Sequence, residues 1–307
     1  MKTRPELTIL VGLPGSGKST WAREHKHSNC LHISSDAIRK DLYGDENIQG
    51  NSNTVFEHMH NRTKQALYNG MSVIYDATNV TRKNRKSIID IGKQCKAKIS
   101  CIVIWSPISV CIDRDSHRER SVGKDVINKF LYRWQTPNWD EGFELVKIEY
   151  GSFQDPSIFN AQDYGKELCK QLHIPHDNPH HTFNVYEHSI RVEKYVRNNV
   201  PEDIEKVVSD CLLLAAMFHD VGKPYTKTFK THDGGTTYAH YYQHNNVGGY
   251  MILGLFANSD NNYTAVTTSW LVTNHMEPYF ESNYYKNLKP CYKKWIDLIH
   301  AGDISAH

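Results

Sequence analysis

The chain has 307 residues, 39% of them hydrophobic, and a net charge of +2. That is enough apolar material for two domains with real cores, and no apolar run approaches the roughly 18 residues that cross a bilayer. The charge neither demands nor rules out nucleic acid, while seven cysteines without a CxxC pair argue for reduced thiols and a cytoplasmic setting. The apolar start of the chain reads as a strand rather than a signal peptide.

From residue 7 to 150, short apolar runs alternate with polar helical stretches. Strands are expected at 8–12, 31–34, 71–77, 99–105 and 143–150, and helices near 18–27, 52–69, 81–96 and 124–134. This alternation predicts an α/β domain with a parallel sheet flanked by helices, whose function gathers at the carboxyl ends of the strands. The first strand runs into Gly12-Leu-Pro-Gly15-Ser16-Gly17-Lys18-Ser19, a phosphate-binding loop of the P-loop kinase type. Its glycines let backbone N–H groups curl around an NTP phosphate chain. Lys18 reaches the β/γ oxygens, Ser19 offers a hydroxyl to Mg²⁺, and Ser16 and Thr20 complete the cradle at the positive end of a helix. ATP or another NTP with Mg²⁺ is the implied cofactor.

Three further features fall where such a sheet places its site. Asp36 follows the second strand, with Arg39 one turn on. The carboxylate suits a general base for a hydroxyl acceptor and the arginine a clamp on a neighbouring phosphate; a helix cap with an i,i+3 ion pair is the alternative. Asp76 closes an apolar strand and heads Asp76-Ala-Thr-Asn79, which suggests a carboxylate acting near Mg²⁺. Arg114, Arg118 and Arg120 suggest a lid over the polyphosphate, against the alternative of a solvated helix of mixed charge.

In this order, residues 6–150 resemble the kinase domain of the 5′-OH polynucleotide kinase family. The resemblance implies that Asp36 is the general base and that Arg39 grips the acceptor strand. Arg114 and Arg118 then form the lid, although Asp115 stands where the family pattern often has asparagine. Related small-molecule kinases share much of this order, so the acceptor stays open.

After a polar connector near residue 160 the pattern changes. A helix is expected at 161–172, then a Pro- and His-rich link holding His173, His176, His180 and His181, read as solvated, with contact to a substrate phosphate as the alternative. Helices follow at 184–199, 202–219, 246–258, 262–275 and 286–303, and no strand is expected. We therefore divide the chain into a kinase-like domain at 1–160 and an all-α domain at 161–307. The strong signal in the second half is His219-Asp220-Val-Gly-Lys223 at the end of an apolar helix. His188 precedes it, and His240, His244, His275 and Asp303 follow; helices facing one another can turn such side chains inward onto a metal. His232-Asp233, in a glycine turn, reads as coincidence. Tyr238, Tyr241 and Tyr242 read as packing, with base stacking as the alternative.

The order His…His-Asp…Asp over 180–307 resembles the HD-domain metal-dependent phosphohydrolases. The resemblance implies His188, His219, Asp220 and Asp303 as core ligands, His244 and His275 as ligands of a second metal, and Lys223 as a phosphate-binding lysine. His240 is the weaker competitor for the place of His244. One or two divalent transition metals (Mn, Fe, Co, Ni or Zn) suit this mixed donor set and would activate water for attack on phosphorus. A kinase joined to such a phosphohydrolase implies an end-healing enzyme. It would phosphorylate a 5′-OH end of RNA or DNA and hydrolyse a 2′,3′-cyclic or terminal phosphate, with a nucleic-acid ligase acting afterwards and no membrane involved. Two alternatives stay open: a nucleoside or small-molecule kinase fused to a nucleotide phosphohydrolase, and an NTP-switched binding module with a non-catalytic HD scaffold. Oligomeric state is not legible.

Overall fold

The computed structural model describes residues 4–44, 51–178, 182–231 and 235–306. Its contacts divide the chain into two compact units. The first holds Met1–Phe130 and Pro137–Gly151, the second Leu131–Thr136 and Ser152–His307. The second thus begins at Ser152, close to the expected change near residue 160, and takes in one short segment from within the first half.

In the first unit the elements are β1 (Glu6–Val11), α1 (Lys18–His25), β2 (Cys30–Ser34), α2 (Ser35–Tyr43), α3 (Ser52–Tyr68), β3 (Ser72–Asp76), α4 (Arg82–Gln94), β4 (Lys98–Ile104), α5 (Ile108–Ser116), α6 (Lys124–Leu131) and β5 (Leu145–Glu149). The strands form one parallel sheet in the order β2-β3-β1-β4-β5. Leu7, Ile9, Leu10 and Val11 of β1 are fully buried, as a central strand covered by helices on both faces requires. The chain leaves β1 for the edge, returns through β3 and crosses to β4. The carboxyl end of β1 is therefore a topological switch point, where a crevice opens.

The five strands fall where the apolar runs put them. Helices α2 and α5 are additions to the expected set. Each is nine residues long, too short for a full apolar stripe. Ser34 starts α2 by accepting from the Ala37 amide at 3.1 Å, a local cap rather than a hydrophobic face.

Two contacts brace the strand ends. Asn79, in a left-handed turn (φ 47°), donates to the Leu10 carbonyl at 2.8 Å and so ties the end of β3 to β1. Arg85 of α4 has no exposed side-chain surface. It makes two bonds of 2.7 Å to the Glu141 carboxylate and one of 3.0 Å to the Asn79 carbonyl.

The second unit comprises α7 (Ala161–Gln171), α8 (Val185–Asn199), α9 (Lys206–Phe218), α10 (Lys223–Thr226), β6 (Thr228–Thr231), β7 (Thr237–His240), α11 (His244–Ile252), α12 (Asn262–Asn274), α13 (Glu277–Phe280), α14 (Asn283–Lys286) and α15 (Pro290–Ser305). Its core joins Val192 and Val196 of α8, Leu212 and Ala215 of α9, Trp270 and Leu271 of α12, and Ile296 and Ile299 of α15. Every residue of α12 from Thr264 to Asn274 is buried, so it is the helix around which the others pack. Two of its buried hydroxyls are satisfied internally: Ser269 donates to the Gly249 carbonyl, and Thr136 bonds both Ser269 and Thr273. This is why Leu131–Thr136 belongs to this unit.

The antiparallel pair β6–β7 overturns the expectation of a strand-free second half. Both strands have four residues, and β6 (TFKT) is exposed along its whole length. Neither carries the apolar alternation that marks a half-buried strand. His232 and Asp233, between them, lie outside the described residues.

The Arg85–Glu141 pair yields a stability prediction. Arg85→Ala would leave a buried carboxylate without its cation, a loss of about 3–5 kcal/mol. Urea unfolding of the full chain should show a transition displaced by that amount, and a change below about 1 kcal/mol would contradict a buried, paired Arg85.

Candidate active sites

The phosphate loop sits between β1 and α1. Gly15 adopts φ 79°, and a Cβ there would lie 2.2 Å from the Cys111 carbonyl oxygen, so only glycine lets the loop pass that close to α5. Lys18 is buried and donates to the Gly12 and Leu13 carbonyls at 3.0 and 2.8 Å. Burial pulls its pKa down, against the opposing charge of Asp76. Ser19 donates to Asp76 Oδ2 at 2.8 Å, and His32 Nε2 lies 3.0 Å from the same oxygen. Burial would raise the Asp76 pKa, but His32, Lys18 and Ser19 together hold it below the usual carboxylate value. The loop, Ser19 and Asp76 thus form one ionised group at the switch point. Ser16 accepts from Ser106 through its carbonyl at 3.0 Å, and Arg114 reaches the Ser106 hydroxyl at 3.3 Å. Gly12 and Gly17 flank this turn, and Thr20 follows on the exposed first turn of α1.

Asp36 lies on the first turn of α2. Its Oδ1 accepts from Arg39 at 3.0 Å and from Arg120 at 2.6 Å. The pair with Arg39 is the i,i+3 contact expected as the alternative reading; the bond to Arg120 is not legible from spacing. Arg118 is exposed, and its charge acts on Lys18. Asp115, where the family pattern has asparagine, is buried. It accepts from the Ser121 hydroxyl and from the Val122 and Gly123 amides at 2.8–3.0 Å. Its carboxylate closes the segment that carries Arg118 and Arg120 into a turn.

In the second unit, six expected residues meet in one buried cluster. His188, His219 and Asp303 offer ligand atoms within 4.8 Å of one another, as do Asp220, His244 and His275. Asp220 joins the two triads: Oδ1 is 3.2 Å from His244 Nε2, and Oδ2 is 3.3 Å from His219 Nε2. His188 lies 2.9 Å from Asp303 Oδ1, whose other oxygen accepts from Tyr279 at 3.1 Å. His240 stands in β7, outside both triads among the described residues.

The elements explain the convergence. His219 and His275 cap the carboxyl ends of α9 and α12, and His244 opens α11. In each ring Nδ1 lies 2.8 Å from the carbonyl three residues earlier, of Ala216, Val272 and Tyr241 respectively. A carbonyl only accepts, so Nδ1 holds the hydrogen and Nε2 turns a bare lone pair inward. Two helix carboxyl ends also point their negative poles at the cluster. Gly222 belongs to this geometry, because a Cβ there would lie 2.1 Å from the His244 carbonyl oxygen.

This donor set fits a cation. The Nε2 atoms of His244 and His275 approach to 3.2 Å, and those of His188 and His219 to 3.3 Å. Burial, reinforced by His244 and His219, pushes His275 down to a pKa of about 3, so it stays neutral. Burial opposes a charge on His219, yet Asp220 and Asp303 raise its pKa to about 10, so the site favours positive charge at that Nε2, which a metal on its lone pair would supply. Facing lone pairs and two buried carboxylates call for positive charge, and a metal satisfies all six donors where protons satisfy only some.

Lys223 is buried beside the cluster, its Nζ 2.7 Å from Asp220 Oδ2 and 3.2 Å from His176 Nε2. His176 is the correction here. Read from sequence as a solvated linker residue, it is 2% exposed, with Nδ1 2.7 Å from the Phe183 carbonyl. The bridge between Pro175 and Asn184 folds the link back onto the unit. His173 stacks on Tyr186 at 4.2 Å, and His180 and His181 lie outside the described residues.

The AAA domain family matches residues 7–137, and the HD domain family matches residues 185–301. By these matches the chain resembles an AAA domain followed by an HD domain. The chain is 28% identical, across 154 residues, to L-seryl-tRNA(Sec) kinase of Methanococcus maripaludis, covering 46% of this chain and 57% of that protein. It is also 28% identical, across 147 residues, to the bifunctional polynucleotide phosphatase/kinase of Schizosaccharomyces pombe, covering 46% of this chain and 33% of that protein. The chain thus spans less than two thirds of either relative. A chain of the Pnkp1/Rnl/Hen1 RNA repair complex superposes with 27% identity and a TM-score of 0.38 over 42% of this chain and 44% of that one, too partial a match to bear on function. No helix among the described residues is long and apolar enough to cross a membrane.

The contact of Asp220 with both triads yields a metal prediction. Elemental analysis of the purified protein should find transition metal, and Asp220→Ala should lose a larger share of it than Asp303→Ala. His240→Ala should keep it. A metal-free protein whose melting temperature is unmoved by added Mn²⁺, Co²⁺ or Zn²⁺ would contradict the assignment, since a ligand bound only to the folded state raises stability.

Proposed function

We propose that the chain is an end-healing enzyme that phosphorylates a 5′-OH end of RNA or DNA and hydrolyses a 2′,3′-cyclic or terminal phosphate. The observation that carries the kinase half is the pair of arginines around Asp36. Both bond Oδ1, so the lone pairs of Oδ2 serve the acceptor hydroxyl. Asp36 takes the hydroxyl proton as the oxygen attacks the γ-phosphorus, and Arg39 and Arg120 then face the phosphate that flanks the acceptor nucleoside. A free nucleoside offers nothing to these two cations, which favours a polynucleotide end. Lys18 and the loop amides hold the β/γ-phosphates, Ser19 and Asp76 would hold Mg²⁺, and Arg114 and Arg118 stabilise charge on the transferred group. The polynucleotide and tRNA acceptors in the names of the two relatives support the same reading.

In the second unit, His188, His219, Asp220, His244, His275 and Asp303 would hold one or two divalent transition metals. Bound there, such metals would lower the pKa of water and draw charge from a phosphoryl oxygen. Lys223 binds a substrate phosphate oxygen and His176 holds its ammonium in place. Their burial keeps bulk water from competing for that contact. A nucleic-acid ligase would then join the ends so prepared.

Transfer of labelled γ-phosphate from ATP to a 5′-OH oligonucleotide and to a nucleoside tests the kinase half. The oligonucleotide should be the better acceptor. Asp36→Asn should lower its turnover by about 10²–10⁴ with little change in the KM for ATP. Arg39→Ala should raise the KM for the oligonucleotide and spare that for the nucleoside. Equal use of both acceptors by the wild type would favour the small-molecule kinase reading instead.

A further inference from the structure

The β6–β7 hairpin and the turn that follows it carry a row of aromatic rings. Tyr238 and His240 alternate along β7 and so share a side, and Tyr242, in the turn beyond β7, continues the row. Tyr238 and His240 lie 5.2 Å apart between ring centroids, and His240 and Tyr242 lie 5.3 Å apart and nearly parallel at 7°. The row ends on Tyr242, 67% exposed. Lys230, exposed, pairs across the hairpin with Tyr238 and stands on the same face.

The intervening residues turn the other way, toward the metal-ligand cluster. Ala239 is fully buried. The Tyr241 hydroxyl donates to the His176 carbonyl, its ring lies 5.4 Å from Lys223 Nζ, and its carbonyl faces His244 Nδ1 at 2.8 Å. Gln243 then takes a left-handed turn (φ 63°) that carries the chain into α11. A non-glycine residue there is uncommon and marks a corner held by its surroundings. Tyr242 is two residues from His244, at most about 7 Å between Cα atoms. An exposed π-face with a lysine beside it therefore adjoins the phosphate-handling groups.

We propose that Tyr238, His240 and Tyr242 form a stacking platform for the nucleobase of the nucleotide whose phosphate enters the HD cluster. The inference rests on the reading of that cluster as a phosphoesterase for nucleic-acid ends. Every base has a π-face, so the platform distinguishes a nucleotide end from a phosphate without a base and is indifferent to which base it meets. Lys230 faces the next phosphate of the strand. The proposal takes the stacking alternative for Tyr238 and Tyr242, while Tyr241 packs against His176 and Lys223.

The test uses the full metal-loaded chain and two substrate classes, a nucleoside 2′,3′-cyclic or 3′ phosphate and the matching abasic ribose phosphate. The wild type should favour the base-bearing compound in kcat/KM. Tyr242→Ala should reduce that preference about 5- to 150-fold, the range spanned by stacking one base on one aromatic ring, and Tyr242→Trp should restore it. Calorimetric binding of a nucleoside 3′-monophosphate against inorganic phosphate should show the same loss without turnover. An unchanged preference and unchanged binding in the Tyr238→Ala/Tyr242→Ala double variant would overturn the platform. So would a Tyr242→Ala protein that has lost its metal, because Tyr242 would then support the fold. A wild type that turns over neither class would overturn the phosphoesterase reading, and the binding measurement would still judge the platform by itself.

Discussion

Asp220 buries a negative charge whose two oxygens meet two different histidine sets, and the second unit is built around satisfying it. An unpaired buried carboxylate is expensive, and paired with imidazoles alone it asks them to carry protons that their own burial resists. Helices α9 and α12 end at this point, so their capping histidines and their negative poles face the same space. The short turn through Gly222 brings Lys223 against Asp220 from the open side, and only glycine fits against the α11 carbonyl there. Cation binding and folding are coupled in such a site, since ligands gathered at this density repel one another until positive charge arrives.

The first unit solves an opposite problem, the gathering of positive charge for a polyphosphate. The parallel sheet does this with geometry alone. Its carboxyl ends place the loop amides, the start of α1 and Lys18 on one rim, with Asp76 as the counter-charge. Arg39 and Arg120 extend that rim over Asp36. An anionic acceptor arriving there meets the same two cations that now bond Asp36. The bracing residues, Arg85 and Asn79, hold the strand ends together from beneath, without touching the loop.

Much of this was legible in the sequence, and the exceptions are instructive. The loop and the five strands were readable because buried parallel strands are apolar on both faces and the phosphate turn needs glycine at fixed places. The six clustered residues were readable because each stands in or beside an apolar helical stretch, with His219-Asp220 ending one of them. His176 was not, since its Pro-rich surroundings have no periodicity and its burial depends on the Pro175–Asn184 bridge. Arg120 was read as part of a lid, and its bond to Asp36 was not legible, because the chain beyond Ser116 is a turn shaped by Asp115 rather than a continuing helix. The hairpin was not, because its outward face is built of residues that an ordinary surface also uses.

Two units with separate cores match an AAA domain and an HD domain family, and our proposal gives them separate phosphoryl chemistry, one adding a phosphate and the other removing or opening one. The proposal that both serve the two ends of one broken strand is most directly tested by intact-mass analysis. An RNA with a 5′-OH and a 2′,3′-cyclic phosphate would be incubated with the protein, ATP, Mg²⁺ and Mn²⁺. The account predicts a single product that has gained a 5′-phosphate and has a hydrolysed 3′ end. A strand altered at neither end, or at only one while free nucleosides and nucleotides are consumed readily, would contradict it.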